Sequence, residues 1–263
     1  MELIKRFAVA LIFIPLLLFL FSSGGFWLAG FIGIITFMGL DEFRKMSNKK
    51  GVDIPWVMIP LGMGIFFAAI YGNEIYLLAA LFLMFVVILG IDLFTNRLEG
   101  SSQRIAYSFV AAIYVALFMS TIYRVSEFEN GTTLITGLLI ITWFTDSAAY
   151  FFGMSFGKHR GIFKASPKKS LEGFLAGIVF AFIAAFAYRY FREITVLEAI
   201  FMAISAGLFG QMGDLMESVL KRDIGVKDSS SLLPGHGGIL DRFDSLMIST
   251  PAFLLMLSFI KLG

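Results

Sequence analysis

Long apolar runs separated by short polar stretches make up most of the chain. A helix that crosses a bilayer needs about 20 mainly apolar residues, and the pattern predicts nine such stretches. They are approximately Ile4–Phe21, Phe26–Leu40, Pro55–Tyr71, Ile75–Phe94, Ile105–Tyr123, Thr133–Phe152, Leu171–Tyr188, Val196–Met212 and Ser245–Ile260. The second stretch is short, and helix is expected to continue through Asp41–Arg44. Because the runs are apolar on every face, they favour helices over transmembrane strands.

The composition supports an all-α, polytopic integral membrane protein. Of the 263 residues, 58% are hydrophobic and 15% are charged, whereas soluble domains carry about 25% charged residues. An ordinary soluble enzyme, a disordered chain and a nucleic-acid-binding arm are therefore excluded, and the expected partner is the lipid bilayer. The chain has no Cys, which excludes disulfides, a thiolate zinc site and a Cys nucleophile.

The positive charges indicate the topology. Seventeen of the 21 Lys and Arg residues fall on one side of a nine-helix arrangement, which predicts a cytoplasmic N-terminus in a multi-pass protein of the cell (inner) membrane. The first stretch, preceded by Lys5 and Arg6, has the alternative reading of a signal peptide. No small-residue cleavage site clearly follows it, so we expect it to remain.

The polar stretch Ser218–Asp244 is the strongest candidate for chemistry. Asp241 and Asp244 are three residues apart, which places them on one face if the last helix begins there. The run Pro234–Gly238, which includes His236, allows tight turns and close backbone approach to a ligand. His236 would either contact phosphate or support the turn. The alternative is an ordinary charged cytoplasmic loop.

The helix before this stretch carries a second set of polar residues. Asp214, Glu217, Ser218, Lys221 and Arg222 have the spacing of one helix face. Asp214 lies near the end of an apolar run, where an ionised group needs a partner such as a multivalent cation. A structural salt bridge between Asp214 and Lys221 is the alternative. The glycines at 173, 177, 207, 210 and 213 are expected to let helices pack closely.

Two further segments carry candidate residues. Asp146 lies within or near the sixth span, where acids usually mark ion or substrate paths; the alternative is an ion pair with a neighbouring helix. Ser170 is a plausible N-cap, Glu172 suits the first turn, and Lys168 and Lys169 lie just before that helix N-terminus, which suits phosphate. Lysines that anchor a helix at the lipid interface are the alternative here.

Together these segments combine carboxylates with cations. Carboxylates suit Mg²⁺, which also binds substrate phosphates, and Lys and Arg neutralise the remaining phosphate charge. The combination indicates metal-assisted phosphoryl or nucleotidyl transfer at the cytoplasmic membrane surface.

At this point the motifs resemble those of a known family. The pattern Ser218-x-Leu220-Lys221-Arg222-x4-Lys227-Asp228-x-Ser230-x2-Leu233-Pro234-x-His236-Gly237-Gly238-Ile239-x-Asp241-Arg242-Phe243-Asp244 resembles the signature of phosphatidate cytidylyltransferases (CDP-diacylglycerol synthases). The segments 146–150 and 166–173 are similar to that family's upstream motifs, so the resemblance covers roughly residues 140–250. It implies that CTP and phosphatidic acid give CDP-diacylglycerol and pyrophosphate, with Mg²⁺ dependence and a homodimer.

The resemblance and the residue types together give the expected roles. Asp214, Lys221, Asp241 and Asp244 are the expected catalytic residues. Asp146, Asp214, Asp241 and Asp244 would hold one or two cations. The expected substrate-binding residues are Lys168, Lys169, Ser218, Arg222, Lys227, His236 and Arg242. Residues 1–130 are expected to form N-terminal membrane helices, and residues 131–263 the catalytic region.

Two other functions remain open from the sequence. A CTP-dependent polyprenol or lipid kinase would share the membrane and the nucleotide but would transfer the γ-phosphoryl group. An ion-coupled transporter would use Asp146 and Asp214 to carry cations. Transporters often show repeated halves, and the chain shows no convincing repeat.

Overall fold

The computed structural model describes residues 2–230, 232 and 237–262, and the regular elements of that part of the chain are helices. They are α1 (Glu2–Ser23), α2 (Gly25–Lys49), α3 (Met58–Tyr71), α4 (Glu74–Phe94), α5 (Ser101–Ser126), α6 (Gly131–Phe156), α7 (Leu171–Phe191), α8 (Val196–Ile224) and α9 (Leu240–Leu262). Two of these helices contain π-helical turns, Ala112–Leu117 in α5 and Ser205–Gly210 in α8.

Each of the nine predicted apolar stretches coincides with one of these helices, except that residues 55–57 precede the first residue of α3, and the all-α prediction is confirmed. Within the described residues, six helices are long and apolar enough to cross a membrane. The apolar segment Phe13–Ser23 of α1 and the helix α3 are shorter. The protein is therefore a multi-pass, all-α membrane protein. The number of nine crossings and the side of the N-terminus stay predictions.

Three helices extend past the apolar runs into polar sequence. Helix α2 continues through the predicted segment Asp41–Arg44 and ends at Lys49. Helix α8 continues to Ile224, and α9 begins at Leu240 rather than at the start of the apolar run. The polar residues singled out near residues 214–222 and 241–244 are consequently held on rigid helices.

Glycine allows the helices that carry the acids to approach closely, as predicted. A Cβ atom on Gly173 of α7 would lie 2.6 Å from the carbonyl oxygen of Ala149 in α6. A Cβ atom on Gly213 of α8 would collide with the carbonyl oxygen of Asp244 in α9. Only a residue without a side chain permits these backbone contacts. These contacts hold α6 against α7, and α8 against α9.

The outward faces of the bundle are apolar. In their most apolar windows, α4 and α7 bury 17% and 22% of their residues, against 56% for α2 and α5. The large apolar side chains left exposed on α4 and α7, such as Phe82, Phe85 and Ile183, suit contact with lipid. The core forms around α2 and α5, and the largest fully buried side chains there include Phe43.

Candidate active site

A cavity of about 1130 Å³ opens among α1, α2, α6, α7, α8 and α9. Its charged lining residues are Asp146, Arg160, Lys168, Lys169, Asp214, Asp241, Arg242 and Asp244. Its apolar lining residues include Phe13, Ile14, Leu17, Phe31, Ile35, Leu139 and Trp143. The charged and apolar groups thus border one space, which suits a ligand with a polar head and an apolar body.

Three acids reach the cavity from three different helices. Asp146 lies on α6, Asp214 on α8 and Asp244 on α9, and their carboxylates interact electrostatically with one another. Asp244 Oδ1 accepts a hydrogen bond from the backbone amide of Ser245 (2.6 Å). Within the described chain, neither Asp146 nor Asp244 forms an ion pair. The cavity therefore has a concentration of negative charge that a bound cation would offset.

Lys169 supplies positive charge at the same place. Its Nζ donates to Asp214 Oδ2 (2.6 Å), and both side chains remain about one-third exposed to the cavity, at 33% and 36%. Arg242 and Lys168 are exposed and line the same cavity. These cations are available to an anionic ligand because the cavity leaves them accessible.

The segment between α6 and α7 folds back on itself and thereby places these lysines. The Gly161 amide donates to the Pro167 carbonyl (3.2 Å) and the Leu171 amide to the His159 carbonyl (3.0 Å). Ser170 accepts a hydrogen bond from the Gly173 amide (3.2 Å), which confirms the predicted N-cap. Glu172 accepts from the His159 amide (3.2 Å). Lys168 and Lys169 consequently stand at the N-terminus of α7, facing the acids.

Among the described residues, Asp241 accepts more hydrogen bonds from the rest of the protein than Asp146, Asp214 or Asp244 does. Its Oδ1 accepts from Lys221 Nζ (2.5 Å), and its Oδ2 accepts from the amides of Ser229 (2.9 Å) and Gly238 (2.8 Å). Lys221 also donates to Glu217 Oε2 (2.7 Å), and its side chain is 9% exposed. The salt-bridge partners of Lys221 are thus Glu217 and Asp241, whereas Asp214, its alternative partner from the sequence, pairs with Lys169.

The buried position of Lys221 predicts a large effect on stability. Lys221→Met would leave Glu217 and Asp241 without their shared counter-charge, which typically costs about 3–5 kcal/mol for a buried pair. We expect a clearly lower melting temperature in detergent. Arg222→Met is the control because Arg222 is exposed and donates to carbonyls of Ala165 and Val226. Equal melting of Lys221→Met and the unmutated protein would contradict this role.

The remaining predicted substrate-binding residues lie apart from the cavity or beyond the described residues. Ser218 is buried, and Arg222 and Lys227 are exposed; none of the three, nor Lys221, is among the described residues that line the cavity. His236 lies outside the described residues. The structure therefore brings together Asp146, Lys168, Lys169, Asp214, Asp241, Arg242 and Asp244.

Sequence reasoning missed two charged residues at or beside the site. Arg160 lines the cavity and donates to the Gly153 carbonyl through Nη2 (2.8 Å). Glu42 on α2 is buried and binds Ser229, Ser230 and the start of α9. The signal for Glu42 was an acid immediately after the apolar run of α2, in the segment Asp41–Arg44. Arg160 gave no such signal because it is one of five basic residues in a polar loop.

The donor chemistry of the cavity fits a hard cation. Among the described residues, no three His, Cys, Asp or Glu side chains form a ready-made metal-binding group. The carboxylates of Asp146, Asp214 and Asp244 nevertheless border one cavity from three helices, and in the part of the chain that the structure describes no cationic side chain forms an ion pair with Asp146 or Asp244. Carboxylate oxygens are the ligands that Mg²⁺ prefers, and Mg²⁺ sites often use one or two of them plus substrate phosphates.

Comparison with known proteins identifies similar chains. The sequence profile of the cytidylyltransferase family matches residues 4–260. The phosphatidate cytidylyltransferase of Staphylococcus aureus (strain COL) is 34% identical over 253 residues, with 94% of each chain covered. The proteins of the same name from Staphylococcus saprophyticus and Staphylococcus haemolyticus are 33% and 32% identical over the same length and coverage.

Proposed function

The chain belongs to the cytidylyltransferase family, and we propose that it joins the cytidylyl group of CTP to phosphatidic acid, giving CDP-diacylglycerol and pyrophosphate. The observation that carries this proposal is the single cavity in which charged residues adjoin an apolar wall. CTP is highly charged, and phosphatidic acid joins a charged phosphate to apolar acyl chains. A cavity of this composition suits both substrates at once.

The proposed reaction is an in-line displacement. An oxygen of the phosphatidic acid phosphate forms a bond to the α-phosphorus of CTP, and the bond from that phosphorus to the bridging oxygen of the β-phosphate breaks. Pyrophosphate leaves with the electron pair. The phosphate nucleophile is already ionised near neutral pH, so the step requires no general base. The protein's contribution is to position the two phosphates and to offset their charge.

The cations at the cavity wall would perform this positioning. Lys168, Lys169 and Arg242, which line the cavity, would bind the triphosphate and the lipid phosphate, and Arg160 lines the same space. Charge-assisted hydrogen bonds from such groups are about twice as strong as neutral ones. Because Lys169 already contacts Asp214, it would hold an anionic substrate directly beside the acids.

The acids would hold Mg²⁺, as one ion or with a second cation. Asp146, Asp214 and Asp244 are the proposed ligands, and Asp241, which lines the same cavity, is the fourth. When bound, the metal would act as a Lewis acid and offset the negative charge that develops on the phosphates in the transition state. The proposed role of Lys221 is to fix Asp241, since the two are in contact. Contacts of Ser218, Arg222, Lys227 and His236 with substrate stay predictions.

The proposed cellular setting follows from the charge pattern. We place the protein in the cell (inner) membrane with nine crossings, a cytoplasmic N-terminus and the charged end of the cavity on the cytoplasmic side. The proposed assembly is a homodimer. Residues 131–263 would form the catalytic region, with residues 1–130 supplying part of the cavity wall through α1 and α2.

A product assay tests the proposed function. We expect purified protein in detergent, given CTP, phosphatidic acid and Mg²⁺, to release pyrophosphate and a cytidine-containing lipid in equal amounts. Omission of Mg²⁺ or phosphatidic acid should abolish both products. In a parallel reaction with a polyprenol in place of phosphatidic acid, formation of CDP and a phosphorylated polyprenol would instead establish a lipid kinase. Cation flux in liposomes without CTP turnover would establish a transporter.

A further inference from the structure

Glu42, on helix α2, is buried at 5% exposure and, among the described residues, accepts hydrogen bonds from four groups within residues 229–240. Its Oε1 accepts from Ser230 Oγ (2.6 Å) and the Ile239 amide (2.9 Å). Its Oε2 accepts from the Leu240 amide (3.0 Å) and lies 3.1 Å from Ser229 Oγ. Every partner is a donor, so the site specifically suits a carboxylate.

The two amides lie at the N-terminus of α9: Ile239 immediately precedes the helix, and Leu240 is its first residue. The first four N–H groups of a helix have no partner inside the helix, and α9 begins at Leu240. Glu42 therefore acts as a cap that comes from 198 residues earlier in the chain. Its negative charge also lies at the positive end of the helix dipole. This contact fixes where α9 begins relative to α2.

Glu42 and Asp241 hold the same short segments from two sides. Ser229 Oγ lies between the two carboxylates, 2.8 Å from Asp241 Oδ2. The Gly238 amide donates to Asp241 (2.8 Å), and the next two amides donate to Glu42. A Cβ atom on Gly238 would lie 2.5 Å from Glu42 Oε2, so the backbone passes directly against the carboxylate.

The negative charges of Glu42 and of its neighbour Asp41 are balanced by different groups. Asp41 forms ion pairs with Arg44 and Lys45 on its own helix. Glu42 forms no ion pair within the described residues, and its partners lie at residues 229–230 and 239–240. Its negative charge is thus balanced by oriented N–H and O–H groups of the active-site segment, and not by a side-chain cation.

We propose that Glu42 is a positioning residue for cytidylyl transfer. By capping α9 and holding Ser229 and Ser230, it sets the place at which Asp241, Arg242 and Asp244 meet the cavity. This inference rests on the proposed function of those three residues. Glu42 itself does not line the cavity among the described residues, so it acts through them and not on the substrate.

Glu42→Gln tests the proposal because Gln keeps the shape and replaces one acceptor oxygen by an NH₂ donor. We expect kcat to fall about 10- to 100-fold, since a misplacement of about 1 Å costs up to that factor, while the KM values for CTP and phosphatidic acid change less than about threefold. Asp41→Asn is the matched control on the same helix, and it should keep kcat within about twofold.

Two further measurements separate positioning from general stability. Hydrogen exchange at the amides of Ile239 and Leu240 should accelerate at least tenfold in Glu42→Gln and stay unchanged in Asp41→Asn. As a single substitution, Ser230→Ala should lower kcat severalfold. In the Glu42→Gln background it should lower kcat little further, because the two groups act together.

Specific outcomes would overturn the proposal. The proposal is overturned if folded Glu42→Gln keeps the kcat of the unmutated protein. It is also overturned if Glu42→Gln and Asp41→Asn lower kcat by the same factor. Independent, additive effects of Ser230→Ala and Glu42→Gln would also contradict it. The exchange measurement requires no substrate, so failure of the contact is distinguishable from failure of the proposed function, which the product assay detects in the unmutated protein.

Discussion

Asp244→Asn is expected to lower the rate of CDP-diacylglycerol formation by about 10²- to 10³-fold, which is the scale for loss of one preorganised group at developing charge. Asp244 lines the cavity, interacts electrostatically with Asp214 and Asp146, and forms no ion pair within the described residues. The substitution removes a proposed Mg²⁺ ligand and leaves the fold intact. Labelled CTP in detergent with phosphatidic acid and Mg²⁺ measures the loss.

The melting temperature distinguishes Asp244 from Asp241. Asp244→Asn should melt at the temperature of the unmutated protein or slightly above it, since it removes a like charge from a group of acids. Asp241→Asn should lose activity and also stability, because Asp241 is the partner of Lys221, Ser229 and Gly238. Asp223→Asn is the control, since Asp223 forms an exposed ion pair with Lys50. Near-normal activity in Asp244→Asn would exclude it as a metal ligand.

Gly238→Ala is expected to lower activity about 100-fold through a single added methyl group. That Cβ would collide with Ser229 Oγ and would lie 2.5 Å and 2.6 Å from the two carboxylate oxygens of Glu42. These atoms are held by hydrogen bonds to Asp241, Ile239 and Leu240, so the segment must shift. A shift of about 1 Å at catalytic groups costs up to about 100-fold.

Gly64→Ala is the matched control for that change. Gly64 lies inside helix α3, and a Cβ added there meets no atom within 4 Å. Alanine has a higher helix propensity than glycine by up to about 1 kcal/mol, so Gly64→Ala should keep full activity and melt no lower. Normal activity in Gly238→Ala would show that Ser229 and Glu42 yield without disturbing the acids, and would remove the steric role assigned to Gly238.

The sequence predicted most of the fold because helix formation in a membrane depends on local composition. Each of the nine predicted stretches is helical apart from residues 55–57, and α2 continues through Asp41–Arg44 as expected. The N-cap of α7 at Ser170 was equally local, since a cap and its amide lie three residues apart. The end of α8 and the start of α9 could not be predicted from hydropathy, because polar residues extend both helices beyond their apolar runs.

The candidate site was predicted in part, because a charged residue beside an apolar run is also a local feature of the sequence. Asp146, Lys169 and Asp214 were found as charges near the ends of apolar runs, and the structure places them at one cavity. The pairing of Lys169 with Asp214 joins residues 45 positions apart, and helical periodicity carries no information about such pairs. The sequence suggested Lys221 as the alternative partner of Asp214 because the two share a helix face.

What the sequence alone determined is therefore the set of helices, the acids and bases available for chemistry, and the family resemblance. These follow from apolar length, from the scarcity of charge in the membrane and from motif spacing. Only the tertiary structure decided which charges meet. It buried Lys221 between Glu217 and Asp241, left Lys169 open to the cavity, and joined Glu42 to the start of α9. The physical reason is that close glycine contacts and helix packing fix these distances, and both depend on residues far apart in the chain.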